Sequence, residues 1–351
     1  MLFHLDLVEQ LAAVDRGVLG AAIADLIRAH RLGDHLVVVS RDSASWLQAH
    51  VDLSARDTAM LSRISQGYAQ TGDLRRRAKI YVDIVAGAPR RISQAGNSIQ
   101  VSIELLVRYR LLERPLLLVE NMDSDGDLYE FLFENHCDLH HGSSVSFDRQ
   151  HGGGADLAMV FERLARNTKI VCAIVDSDRA SPDAPNLKLA QLERLKQQLN
   201  WPLCFPTSPP AHEAENLVPL PIVMNLPSGV RNPTNTILLR VSQEEISNGH
   251  PLAEQFWLFF DVKEGSTPQK FGRMTENDQA WIISKAKLAN IDPSEHSVAG
   301  YGDRVIGQVF AENKFKSELR KETRHPNWRD VFAGFLDEII WVFLAGRKII
   351  T

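Results

Sequence analysis

Apolar and polar positions alternate between two periods along this chain, and the clearest pattern lies in its middle third. Lys169–Pro182 reads KIVCAIVDSDRASP. Ile170, Val171, Cys172, Ala173, Ile174 and Val175 form an unbroken apolar run that ends abruptly in acid. A run of that length, rich in β-branched residues, predicts a strand buried on both faces of a parallel sheet. Pro115–Glu120 (PLLLVE) predicts a second such strand, also ending in an acid. Between and after them the period shifts to that of helices. Helices are expected over Gly126–Glu134, Ala155–Arg166 and Leu187–Leu199, and short strands over Ser143–Phe147 and Trp201–Phe205.

The flanks are mixed. Leu5–His30 carries a helical pattern with a break expected near Gly17–Gly20; His35–Ser40 is a strand candidate, and Leu47–Gln70 is partly helical. In the tail, Thr236–Val241 (TILLRV) reads as a strand, Leu252–Asp261 is apolar and aromatic, and helices are expected at Asp278–Leu288 and Trp328–Ala345. Pro219, Pro221, Pro227 and Pro233 with Ser228-Gly229 mark a joint. The fold class expected is α/β, with a central parallel sheet flanked by helices and further α/β or α+β regions on either side. The domains expected are 1–114, 115–225 and 226–351.

The acids give this pattern its chemistry. Glu120 leaves the first buried strand; Asp176 and Asp178 leave the third. In open α/β sheets ligands bind at that end of the strands. Hard cations such as Mg²⁺ take oxygen ligands, commonly carboxylates with phosphate and water. After the next strand comes His212-Glu213-Ala214-Glu215-Asn216. The order is strand–Glu, helix, strand, Gly152-Gly153-Gly154, helix, strand–Asp-x-Asp, helix, strand, HExEN.

That ordered set resembles the Toprim domain, the metal-binding fold of type IA and II topoisomerases, primases and nucleases of the overcoming-lysogenization-defect type. The resemblance covers roughly residues 113–225, extending to 266 through a weak likeness at Phe260–Gly265. It implies Mg²⁺ or Mn²⁺ on Glu120, Asp176 and Asp178, with Glu213, Glu215 and Lys263 completing a catalytic set. The implied activity is metal-dependent cleavage of DNA or RNA in bacterial anti-phage defence, with a partner ATPase as regulator. Asn121-Met122 departs from the glycine usual after the first glutamate and puts the shape of that loop in question. His212 is a candidate for phosphate binding or general acid work. Asp123 and Asp125 are candidate extra ligands, with Asp125 also an N-cap candidate.

Charge and composition narrow the alternatives. The 351 residues carry a net charge of −5, so any nucleic-acid surface is local. Arg75–Arg114 holds nine Lys/Arg against Asp83, Glu104 and Glu113. Within it Arg75, Arg76, Arg77, Lys79, Arg90 and Arg91 are either phosphate contacts or a solvated face. Lys314–Arg329 is basic too, but interleaved with acids. Cys137, Cys172 and Cys204 form no CxxC pair, which fits a reducing compartment. With no signal-peptide pattern and no apolar run of membrane-spanning length, a cytoplasmic protein is expected, with no membrane partner and with self-association left open. His136, Cys137, His140 and His141 make a weak zinc candidate, lacking a matching distant pair. There is no GxGxxG and no Walker lysine. Two other classes stay open: a non-catalytic interaction module on the same fold, and an Asp-x-Asp enzyme on sugar nucleotides.

Overall fold

The computed structural model describes residues 1–6, 8–86, 92–137 and 143–349. Arg90, Arg91, His140 and His141 lie outside the described residues.

The N-terminal region opens with a strand, β1 (Leu2–Leu5), which lies ahead of the helical pattern expected from Leu5 onward and was not itself expected. LFHL is buried at every position, because β1 lies between two parallel neighbours. Its helix α1 (Arg16–Leu32) starts where Asp15 accepts hydrogen bonds from the N–H groups of Gly17 and Val18, so both Gly17 and Gly20 fall inside an unbroken helix. Then follow β2 (Leu36–Val39), α2 (Arg41–His50), α3 (Ala55–Gln66), β3 (Tyr81–Val85), β4 (Ser93–Ala95), β5 (Ser98–Ser102) and α4 (Ile103–Arg108). The sheet order is β2-β1-β3-β5-β4, parallel except for β4.

The central region comprises β6 (Leu116–Val119), α5 (Ser124–Cys137), β7 (Ser143–Val145), β8 (Asp148–His151), α6 (Leu157–Arg166), β9 (Val171–Ile174), α7 (Leu187–Leu199) and β10 (Cys204–Thr207). Its four-stranded sheet is wholly parallel, ordered β10-β9-β6-β8. Alternation along the strands fills both faces. Leu117, Val119, Cys172 and Ile174 join the main core, while Leu118, Val171 and Ala173 pack under Phe161 and Leu192. Ser143–Val145 is a strand but not of this sheet; the polar DRQH of β8 takes the expected place beside β6.

In the tail, TILLRV is helical, not extended. It belongs to α8 (Asn235–Ser247), which buries Leu238, Val241 and Glu245 at spacings of three and four. The longer helices that follow are α9 (Glu276–Ala286), α10 (Asn313–Glu322) and α11 (Pro326–Phe343). A buried ion pair, Glu245 to Lys285 at 2.8 Å, joins α8 to α9. The last strand, β11 (Leu344–Gly346), pairs antiparallel with β7. Phe335 and Phe343 of α11 stand 6.3 and 5.7 Å from Tyr129 and Phe133 of α5. Among the described residues no helix is long and apolar enough to cross a membrane.

Candidate functional site

The chain runs from β6 outward to β8 and then crosses back to β9 on the other side of β6. The order therefore reverses between β6 and β9, and their carboxyl ends flank the crevice where such sheets bind ligands. Glu120 follows β6 and Asp176 follows β9. The Asp176 N–H donates to Glu120 Oε1 at 3.3 Å. Gly152 ends β8 against the same place: its N–H donates to the Val119 carbonyl at 2.8 Å, and a Cβ there would stand 2.8 Å from that oxygen. Of the three glycines, Gly152 thus makes the close approach beside Glu120.

Asn121 shapes the first loop in place of a glycine. Its Oδ1 accepts from the N–H groups of Asp123 and Ser124 as α5 begins. Asp125 is not the cap of that helix. It lies in the first turn, is buried, and its carboxylate accepts from the Asn121 N–H at 3.0 Å. Burial raises its pKa. Asp123 is exposed.

The six residues singled out for catalysis assemble into two ammonium-bridged sets. In the first, Lys188 Nζ lies 2.7 Å from Glu120 Oε1 and 2.9 Å from Asp178 Oδ2. Asp178 adopts a left-handed conformation (φ +51°) and donates its N–H to the His212 carbonyl. In the second, Lys263 Nζ lies 3.0 Å from Glu213 Oε2, 3.1 Å from Glu215 Oε2 and 3.7 Å from Asp176 Oδ2. The sets touch through the Glu120–Asp176 hydrogen bond. Among the described residues no three His, Cys, Asp or Glu side chains are drawn closely enough together to hold an ion; the lysines stand between the acids.

Backbone donors fix the second set. Asp176 Oδ1 accepts from the Ala214 N–H at 3.0 Å; Glu213 Oε1 accepts from the N–H groups of Val262 and Lys263 at 2.7 and 3.1 Å. Asn216 holds the turn: Oδ1 accepts from the Glu213 N–H, while Nδ2 donates to the carbonyls of Trp257 and Phe260. HExEN and the 257–263 segment therefore form one unit. Glu215 is 1% exposed, and its Oε2 faces Lys263 as an ion pair without accepting a hydrogen bond.

Five carboxylates share two ammoniums, which leaves negative charge unbalanced. Burial pushes the Asp176 carboxyl up to about 8, with Lys263 opposing and the neighbouring acids adding to the rise. Burial, and then Glu213, push Glu215 up to about 8. Burial works against the Lys263 charge, but Glu215, Asp176 and Glu213 outweigh it and raise its pKa.

Lys188 went unread in the sequence because a lysine on an amphipathic helix passes for a solvated one. It carried a signal: it sits in the first turn of α7, where the helix dipole disfavours a cation. The basic candidates lie elsewhere. Arg75, Arg76 and Arg77 occupy a single helical turn, with Arg76 paired to Asp73 at 3.3 Å. Lys79 is exposed and lines a cavity of about 360 Å³ with Lys196, Phe205 and Thr207. His136 is engaged by Asp337 of α11 at 2.6 Å. Comparison with family models, curated proteins and solved structures finds no match to this chain.

Proposed function

We propose that the protein is a Toprim-like, divalent-metal-dependent nuclease that hydrolyses a phosphodiester in DNA or RNA. The observation that carries this reading is the charge imbalance at the strand-order reversal. Asp176 and Glu215 are buried carboxyls that two lysines leave incompletely neutralised, and among the described residues Glu215 Oε2 faces the Lys263 ammonium at 3.1 Å without accepting a hydrogen bond. A dication suits that donor set, being all oxygen and in excess of local positive charge. Glu120, Asp176 and Asp178 would hold it, with Glu215 alongside. Bound there, Mg²⁺ or Mn²⁺ supplies an activated water and a clamp for the scissile phosphate. The chain's own groups do the rest. Glu213 and Asn216 fix the turn that carries Glu215, and Lys188 and Lys263 bring positive charge to the phosphate. A role in anti-phage defence under a partner ATPase, in the cytoplasm, belongs to the same reading, since the chain has no nucleotide-cradling motif of its own.

One observation favours a second reading. The lysines already bridge the acids, and an interaction module could use the cluster purely as a structural knot. The two are separated by Asp176→Asn, which keeps an oxygen for the Ala214 N–H. A nuclease requires Mn²⁺ to raise the melting temperature of the wild type and not of the variant. It also requires wild type alone to cut plasmid, single-stranded DNA or RNA in Mn²⁺ and not in EDTA. Absence of both effects, with and without a co-purified ATPase, sinks the nuclease reading.

A further inference from the structure

A second feature adjoins the acids. A cavity of about 320 Å³ opens beside Asp178, which lines both it and the acid cluster. Its apolar wall is the half-buried ring of Phe256 with the buried rings of Phe259 and Phe260, from the segment that also fixes Glu213 and Asn216. His212 and Arg273 line it too. The ring of His212 donates from Nδ1 to the Arg179 carbonyl at 2.8 Å. Arg273 is exposed and has no carboxylate partner among the described residues. The cavity is built rather than incidental. Ser181, three residues after Asp178, donates to the buried Asp278 of α9, tying the strand-end loop to the far wall.

We propose that this cavity receives an unpaired nucleobase of the strand to be cut, its phosphate lying toward Asp178; this rests on the nuclease reading. The size lies at the lower end for small-ligand sites, suited to one planar ring system. Aromatic walls hold bases by stacking, which every base offers and which needs no sequence. Arg273 adds the positive rim that a sugar–phosphate chain requires. A base stacked inside a duplex cannot enter such a recess; one in a single strand, loop or frayed end can. The substrate class is therefore single-stranded or locally unpaired nucleic acid, DNA and RNA sharing this chemistry.

The test separates pocket from acids by leaving metal out. Fluorescein-labelled single-stranded DNA, single-stranded RNA and blunt duplex of one sequence are titrated in EDTA by anisotropy. The proteins are wild type, Phe256→Ala and Arg273→Glu. Single strands should bind wild type at least tenfold tighter than the duplex, and each variant should lose about tenfold or more on single strands. The DNA and RNA arms name the sugar. Photocrosslinking of an oligonucleotide carrying 5-iodouracil should label residues 256–260 or 273–282, which keeps the test valid if Phe256→Ala folds poorly. Equal binding of duplex and single strand, no loss in Arg273→Glu, or crosslinks elsewhere would overturn the proposal. Pocket-dependent binding without any Mn²⁺-dependent cutting would support the pocket while refuting the nuclease reading.

Discussion

Replacing Lys263 with methionine removes from three carboxylates the ammonium that, among the described residues, alone pairs with them, and its cost should depend on pH in a defined direction. Nζ stands 3.0 to 3.7 Å from Glu213, Glu215 and Asp176. One such contact is on the order of 5 kcal/mol at an effective dielectric near 20. Desolvation of the ammonium offsets much of that, and removing one member of a buried pair typically costs about 3–5 kcal/mol. The orphaned acids limit the loss by taking protons. Asp176 and Glu215 already titrate near 8, and without Lys263 both move higher. An acid whose folded pKa exceeds its unfolded value binds more protons when folded. Its burden is therefore absent below the unfolded value and grows as pH rises toward the folded one. At pH 8.5 the variant should lose about 4 kcal/mol, and at pH 6, where both acids are neutral and Glu213 keeps two backbone donors, roughly half of that. Urea denaturation of metal-free wild type and variant at the two pH values measures it. A loss that is constant, or larger at pH 6, would show that the ammonium does not neutralise these acids.

Other expectations concern parts of the molecule away from Lys263 or act on its neighbours. Asn216→Ala strips one N–H and two carbonyls of their buried partners and should cost about 3 kcal/mol in urea denaturation, with the acid cluster loosened. A cost under ~1 kcal/mol would mean the turn is held otherwise. His30 is lowered to about 4 by burial, with Arg63 adding to the effect. Its folded pKa lies below the unfolded 6.5, so it contributes stability above pH 6.5 that is lost as pH falls to 4. That loss is roughly 3 kcal/mol, and His30→Gln should flatten this part of the wild-type stability profile. Mn²⁺ affinity should rise from pH 6 to 8.5 because Asp176 and Glu215 must release protons, and calorimetry in two buffers of different ionisation enthalpy would count them.

The strands that place the acids were legible because both are buried on two faces, which makes them apolar throughout and marks their ends sharply. β8 was not: it is an edge strand whose DRQH side chains are at most half-buried, so its backbone pairing, not its composition, makes it a strand. TILLRV misled through its β-branched and aliphatic residues, a propensity that packing overrides; Leu238 and Val241 bury one side of a helix. LFHL was masked by the long helical pattern behind it. At the site, the acids at strand ends could be read one by one, and Lys263 through a weak likeness. The division into two lysine-bridged sets could not, because it depends on which acid each ammonium reaches, and every pair but Lys188–Asp178 is separated by 48 to 87 residues of chain.

The joining of HExEN to the 257–263 segment sets an order of assembly. Hydrogen bonds from Glu213 and Asn216 span 41 to 50 residues. Closing so long a loop is an entropic cost that local helices do not bear, while the pairing of β6 with β9, 55 residues apart, bears a similar one. A chain leaving the ribosome thus holds β6 and β9 with their acids well before residue 263 emerges. Until then the carboxylates lack their fixed ammonium and the turn carrying Glu215 lacks its anchor. The cluster matures after the strands that carry its first acids, so a truncated or nicked product ending before Lys263 would lack the finished site.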